Sequence, residues 1–506
     1  VVAAVLGPTY LGNVFQASNN LPNLVYMGLI GALISSLLVP PLVRLIDQGD
    51  RRGAERLAGA FLGTALLVFG VAALLVILAG PLILELFTLG VSDVEQAAGQ
   101  RAVGRLLLLL CMPQLLLYGV VGTCEAVMNA HGRFALASAA PISENLGVIL
   151  TMGATAVIFG VGQDAAVPTE QLILMGVGCT MAVAVHAAID WWGVRRLGVR
   201  LVPRPGWRDP VVREVIHRAV PSLGYSGLDV AQLFAIVVMA NGIPGGVVAF
   251  DLAMNFYVLP SALCARPVGI ALLPQLSRLT IDHKMGQFKD ELIRGASLMF
   301  FFAVPAAVGL AVLAGPIAEG VSFGAMAGGE GRAMLEYALL GLSAGVIGEC
   351  ALLLCTYASY ARSDVRSPVL AMVIRLGVAA CGIGAILTLP QGPMLLLALG
   401  LLVSIADLIG AAFLALRLRS VLPTGQERLF PAILRSAAAA AVTVIPALLA
   451  VTVIPDLLRR GGPQVGVTMA CIFGAFTYVL VQAVLRSPEL KLLLEALRSR
   501  RAASDA

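Results

Sequence analysis

Leu57–Phe87 reads LAGAFLGTALLVFGVAALLVILAGPLILELF, an apolar run broken by one charge, Glu85. A helix rises 1.5 Å per residue, so about 20 apolar residues cross a hydrocarbon core of about 30 Å. This run is longer than that and has no polar face to turn towards water, so its solvent is lipid. Ala437–Ile454 repeats the signal. The whole chain of 506 residues agrees, with 59% hydrophobic and only 12% charged residues. A soluble domain carries about 25% charged residues, and this chain has too few to cover a surface in water.

Turns and charges, used as punctuation, predict spans near 1–7, 12–43, 57–87, 103–129, 134–160, 170–193, 218–241, 246–277, 294–317, 334–360, 368–388, 393–416, 433–454 and 465–485. The fold class is therefore all-α, a polytopic membrane protein of about fourteen transmembrane helices. No signal-peptide pattern precedes the first span, and Val1 already falls inside a helical pattern, as in a trimmed first helix. The net charge is +5, but its distribution matters more. Of the 34 Lys and Arg, 27 fall in alternate loops and the tail, five on the other side, and Arg266 and Arg375 at membrane depth. Cationic loops stay in the cytoplasm, which orients even-numbered spans to end inside and places the C-terminus there. The long basic loop Arg195–Arg218 and the tail Arg498-Ser499-Arg500-Arg501 read as orientation signals and anchors to anionic lipid, not as a nucleic-acid surface. The eight cysteines sit almost wholly in apolar runs without metal-ligand spacing and read as small core residues. There is no Walker A motif, zinc motif or hydrolase elbow.

An internal repeat is visible. Val39-Pro40-Pro41-Leu42-Val43-Arg44-Leu45 is echoed 234 residues later by Leu273-Pro274-Gln275-Leu276-Ser277-Arg278-Leu279, and Ala79-Gly80-Pro81 by Ala314-Gly315-Pro316 at 235. A looser echo links Arg133 and Pro141 to Arg362 and Pro368. Six spans separate the copies, so they are parallel, and such repeats are an architecture of secondary transporters. The expected division is 1–205 for one lobe, 206–420 for the second, and 421–506 for a final helix pair and cytoplasmic tail.

Charges inside spans are functional candidates because each costs at least about 2.5–3.5 kcal/mol at the bilayer centre. On a regular helix Arg266 lies about 20° from the line of Asn255 and roughly 16 Å along it, with Asp251 a turn earlier. Its guanidinium suits phosphate oxygens, and a structural partnership with Asp251, Asp229 or Glu349 is the alternative. Glu144 and Glu349, on the fifth and tenth spans, and Asp229 are candidates for a coupling proton or Na⁺, with hydrogen-bonded helix packing as the alternative. Arg375 and Asp407 are expected to pair within one lobe. His186 and Asp190, spaced i, i+4 beside Trp191-Trp192, read first as an interfacial belt and second as a proton relay. Asn13, Asn19, Asn20 and Asn23 cluster on the second span. Asn13 and Asn20 share a face that suits either sugar hydroxyls or interhelical hydrogen bonds. Pro22, Gly28, Gly31, Pro260 and Gly269 are candidate bending points.

Three segments carry a family resemblance: Leu21-Pro22-Asn23-Leu24 with Gly31-Ala32 and Val39-Pro40; Asn129-Ala130-His131-Gly132-Arg133-Phe134 with Pro141 and Asn145; and Leu259-Pro260-Ser261 through Gly269-Ile270-Ala271-Leu272-Leu273-Pro274-Gln275-Leu276-Ser277-Arg278. In these the chain resembles the MurJ/MviN family of lipid II flippases, within the multidrug/oligosaccharidyl-lipid/polysaccharide exporter superfamily. The resemblance implies two six-helix lobes in a V, a final pair lining a lipid groove, no cofactor and no enzymatic activity. It also implies a bacterial plasma-membrane location, a lipid-linked glycan as substrate, coupling to Na⁺ or H⁺, and an association with cell-wall synthesis proteins. Where the family has a pair of arginines after its Pro-Asn-Leu-Leu, this chain has Tyr26 and Met27. Asn255 stands in place of a cavity arginine, and Asn13 in place of an aspartate. In the family these cations are thought to hold the pyrophosphate and peptide carboxylates of lipid II. The substrate reading is therefore lipid II or another undecaprenyl-linked wall or capsule glycan. A twelve-helix drug antiporter and a non-transporting scaffold of wall synthesis are the rivals.

Overall fold

The structure is a computed structural model that describes residues 1–28, 38–162, 167–207, 209–387, 390–423, 429–458 and 462–495. Gly31, Ala32, Arg208, Arg428, Arg459, Arg460 and the basic tail Arg498–Arg501 lie outside them. The described residues are mostly helical and contain no strand. The first ten helices are α1 (Val2–Leu6), α2 (Tyr10–Tyr26), α3 (Val39–Asp47), α4 (Arg51–Leu78), α5 (Gly80–Phe87), α6 (Val94–Cys111), α7 (Pro113–Ala130), α8 (Phe134–Ala139), α9 (Pro141–Phe159) and α10 (Thr169–Arg196). The rest are α11 (Pro210–Ala240), α12 (Gly246–Pro260), α13 (Arg266–Ile281), α14 (Met285–Val312), α15 (Ala314–Val321), α16 (Gly329–Ser343), α17 (Gly345–Ala361), α18 (Arg366–Ile386), α19 (Pro393–Val421), α20 (Phe430–Leu458) and α21 (Pro463–Val484).

Ten of these stretches are long and apolar enough to cross a membrane, and eleven if the pair α16–α17, bent by 46°, is one span. The second expected span is α2 and α3 with residues 29–37 between them, and the seventh is α11, whose apolar part is Gly224–Ala240. Several expected spans are two helices joined at a break, at Ala79, Met112, Leu313 and Ala344. Pro113 explains the break at Met112, because proline has no N–H and clashes with the turn before it. Irregular backbone at membrane depth must still be satisfied. At Ala344 it is: Gly345 N donates to Ser404 Oγ (2.9 Å), and Ser404 Oγ donates to Gly341 O (2.7 Å).

The repeat is written into the helix bounds. Both ends of α4 recur 234 residues later in α14, as do both ends of α5 in α15. The C-terminal ends of α1, α2 and α3 recur at the same interval in α11, α12 and α13. A π-helical turn also recurs, at Met27-Gly28 after α2 and at Ser261–Ala265 after α12.

The chain forms two compact units. The first comprises Val1–Val248 with Gly324–Met326, and the second Ala249–Phe323 with Ala327–Ala506. The core of the first unit packs α3, α4 and α7 around Phe61, Phe69, Leu115 and Met128. The loop after α10 is laced onto this core. A Cβ on Gly63 would stand 2.0 Å from Arg204 O, and Arg204 N donates to Gly59 O at 2.9 Å. In the second unit Gly341 and Gly400 let α16 and α19 touch backbone to backbone, the small-residue contact that membrane helices favour. The reading of the cysteines as core residues needs correction at two positions. Cys381 and Cys471 are exposed, because a membrane protein keeps apolar side chains on its outside as well.

Candidate functional site

In the second unit, α12 carries Asp251 and Asn255 and α13 opens with Arg266. Asn255 and Arg266 are exposed and Asp251 is half-buried. Asn255 Nδ2 donates to Asp251 O at 2.8 Å. The π turn at Ser261–Ala265 lies between Asn255 and Arg266. A π turn takes up more residues than an α turn, so the register of a regular helix is lost and Arg266 leaves the line of Asn255. Among the described residues no ion pair includes Arg266. Asp229, in the first unit, is exposed, and Glu349, in the second, is half-buried.

The second span behaves differently from its expectation. Asn13 is 0% exposed. Its Nδ2 donates to Asn241 Oδ1 (3.1 Å) and Ile243 O (2.8 Å), and its Oδ1 accepts from Val247 N (3.0 Å). Asn241 in turn donates to Phe87 O and Gln100 Oε1. Both amide hydrogens and one lone pair of Oδ1 are taken and the side chain is fully buried, so Asn13 belongs to the interhelical bonding rather than to a substrate surface. Asn20 is half-buried, and Asn19 accepts from Gln114 Nε2 at 3.3 Å. Tyr26 stacks on Tyr118 at 5.3 Å between ring centres and tilts against Phe69.

Below Tyr118 the first unit holds a cluster of ionisable groups. Glu144 on α9 accepts from Tyr118 Oη (2.9 Å) and from His186 Nδ1 (2.9 Å). On α10, His186 Nε2 lies 3.4 Å from Asp190 Oδ2. Glu125 on α7 completes the group: one ligand atom each from Glu125, His186 and Asp190 lies within 4.8 Å of the others. His186 and Asp190 are buried, which corrects the belt reading for them. Trp192, 48% exposed and under the Arg196 guanidinium at 4.0 Å, alone fits a belt. The sequence reading passed over Glu125. Its signal was there, an ionisable side chain inside the apolar run of α7.

The second unit answers with a different arrangement. Arg375 Nη2 and Asp407 Oδ1 pair at 2.5 Å, and Tyr257 Oη donates to the same carboxylate. Asp407 is 0% exposed. The expected pairing of Arg375 with Asp407 within one lobe holds. Alongside, α12, α14, α20 and α21 wall an apolar cavity of about 440 Å³, lined by Phe256, Pro260, Phe302, Pro305, Gly474 and Tyr478 among others.

A bundle of broken, duplicated membrane helices with few charges is the architecture of a polytopic transporter. Solved structures share the fold. One described as lipid II flippase MurJ in an inward closed conformation superposes with a TM-score of 0.69 at 15% identity, covering 96% of this chain and 95% of that one. An inward-facing multidrug resistance MATE transporter of the MOP superfamily gives 0.64 at 13% identity, covering 83% of this chain and 93% of the other. The family model described as lipid II flippase MurJ matches residues 2–460, and the chain belongs to that family. Relatives include the probable lipid II flippase MurJ of Haemophilus influenzae, 23% identical over 74% of this chain and 75% of its own length. The lipid II flippase MurJ of Burkholderia cenocepacia is 23% identical over 73% of this chain and 70% of its own.

Proposed function

We propose that this chain flips lipid II across the bacterial plasma membrane by alternating access. The family match over residues 2–460 carries the reading. The apolar cavity walled by α12, α14, α20 and α21 supports it, because a polyprenyl tail needs a lipid-like path while its headgroup crosses. In this reading residues 1–205 and 206–420 are the moving lobes, and 421–506 supply the tail's groove. Arg266 is the proposed contact to phosphate oxygens; Asn255 and Asp251 on the second unit and Asn20 and Tyr26 on the first are separate candidates for contacts to the headgroup. The charge pattern of the loops supports a cytoplasmic C-terminus. A gradient of Na⁺ or H⁺ drives the cycle through Glu349 and Asp229, and wall-synthesis proteins are the expected neighbours. Glu144, held on both oxygens, is left out of that coupling role.

Depletion in the native host tests the proposal. Lipid II accumulates on the inner leaflet if it is right, and no precursor accumulates if the chain is a scaffold. A second reading rests on Tyr26, Met27 and Asn255, which stand where the family has arginines. It names another lipid-linked wall or capsule glycan, and the identity of the accumulated precursor separates the two.

A further inference from the structure

The Glu125–His186–Asp190 cluster has no task in the flipping cycle drawn above, and its chemistry asks for one. Glu144 and Asp190 both face His186, with Glu125 beside them. His186 Nδ1 meets Glu144 Oε2 at 2.9 Å, which leaves Nε2 on the side of Asp190 and Glu125. Nε2 and both oxygens of Asp190 are buried and make no hydrogen bond among the described residues. Buried polar atoms that lack a hydrogen bond are costly; here His186 Nε2 and Asp190 meet only in the 3.4 Å ion pair between them, with Glu125 beside it. The second unit shows the contrast: its buried Asp407 is met by Arg375 and Tyr257. The first unit sets three carboxylates around one imidazole.

From this geometry we infer that Glu125, His186 and Asp190 form a binding site for a divalent transition-metal ion such as Zn²⁺ or Mn²⁺. One imidazole nitrogen and two carboxylates are a ligand set that such ions accept. The 4.8 Å limit on their separations lets one ion reach all three. Glu144 is the outer carboxylate that orients a metal-bound histidine, and Tyr118 orients Glu144 in turn. The ion's two charges balance Glu125 and Asp190. Bound there, it ties α7 to α10 and, through Glu144, to α9. Glu125 and the partly exposed Glu144 provide the way in. The site stands apart from the flippase reading, since its test needs no transport.

The full chain in detergent, stripped with a chelator, is titrated with Co²⁺ and followed by visible absorption, with Zn²⁺ competition and elemental analysis for stoichiometry. One ion per chain is expected, and Zn²⁺ raises the Tm of the unmodified protein. E125Q and D190N lose the ion, E144Q binds it about 10- to 100-fold more weakly, and H131A with H283A binds it normally. Absence of a stoichiometric ion or of a Tm shift in the unmodified chain overturns the site without recourse to any variant. Undiminished affinity in E125Q, a half-buried position that tolerates an isostere, overturns it as well.

Discussion

At the scale of single residues, burial separates structural polar groups from those free to meet a substrate. Arg375→Ala strands Asp407 in a dry site, and breaking a buried pair from one side costs about 3–5 kcal/mol. A lower Tm checks this, and the double variant with Asp407→Ala regains much of the loss. Asn13→Ala strips partners from Asn241, Ile243 and Val247 and costs about 1–3 kcal/mol of stability. The flipping rate per folded molecule stays the same. Arg266→Ala behaves in the opposite way. Stability holds because the side chain is exposed, while flipping falls about ten- to hundred-fold with the loss of a charge-assisted bond to phosphate. A reconstituted flipping assay alongside thermal unfolding distinguishes all three. The pairing of Arg375 with Asp407 was legible in the sequence because two opposite charges in adjacent apolar spans have few other options. The fate of Asn13 was not, since its partners lie 228 to 234 residues away. Glu125 joined its cluster only through the packing of α7 on α10.

At the scale of elements, the sequence laid out nearly every helix, because apolar length is a strong signal and lipid demands it. It missed the breaks. Hydropathy is blind to the break at Met112 and the 46° bend at Ala344, where the chain stays apolar while its hydrogen bonding changes. The sequence did mark Gly28 and Pro260 as bending points, and π turns fall at Met27-Gly28 and directly after Pro260, at Ser261–Ala265, between Asn255 and Arg266. The cavity beside α21 yields a prediction of its own. A Cβ on Gly474 meets nothing within 4 Å, so the space accepts a side chain. Gly474→Phe fills the cavity and blocks flipping of a long-chain substrate in vesicles, while thermal unfolding checks that the fold is kept.

At the scale of the whole molecule, the duplication was legible from short echoes around Pro40 and Gly80, and the helix bounds extend it along the chain. The two halves share a skeleton and differ in ionic content, with a neutralised pair in one and an acid-rich cluster in the other. The interval of 234 residues holds at the C-terminal ends of α1 through α5, and is 232 where α7 and α17 begin and 224 where α10 and α19 begin. Chain length has been locked across the opening third of each copy and allowed to drift after it. Insertions should follow the same rule: a short epitope spliced in after Gly132 or Ser363 is tolerated, whereas one extra residue between Leu78 and Gly80 throws the rest of that copy out of step.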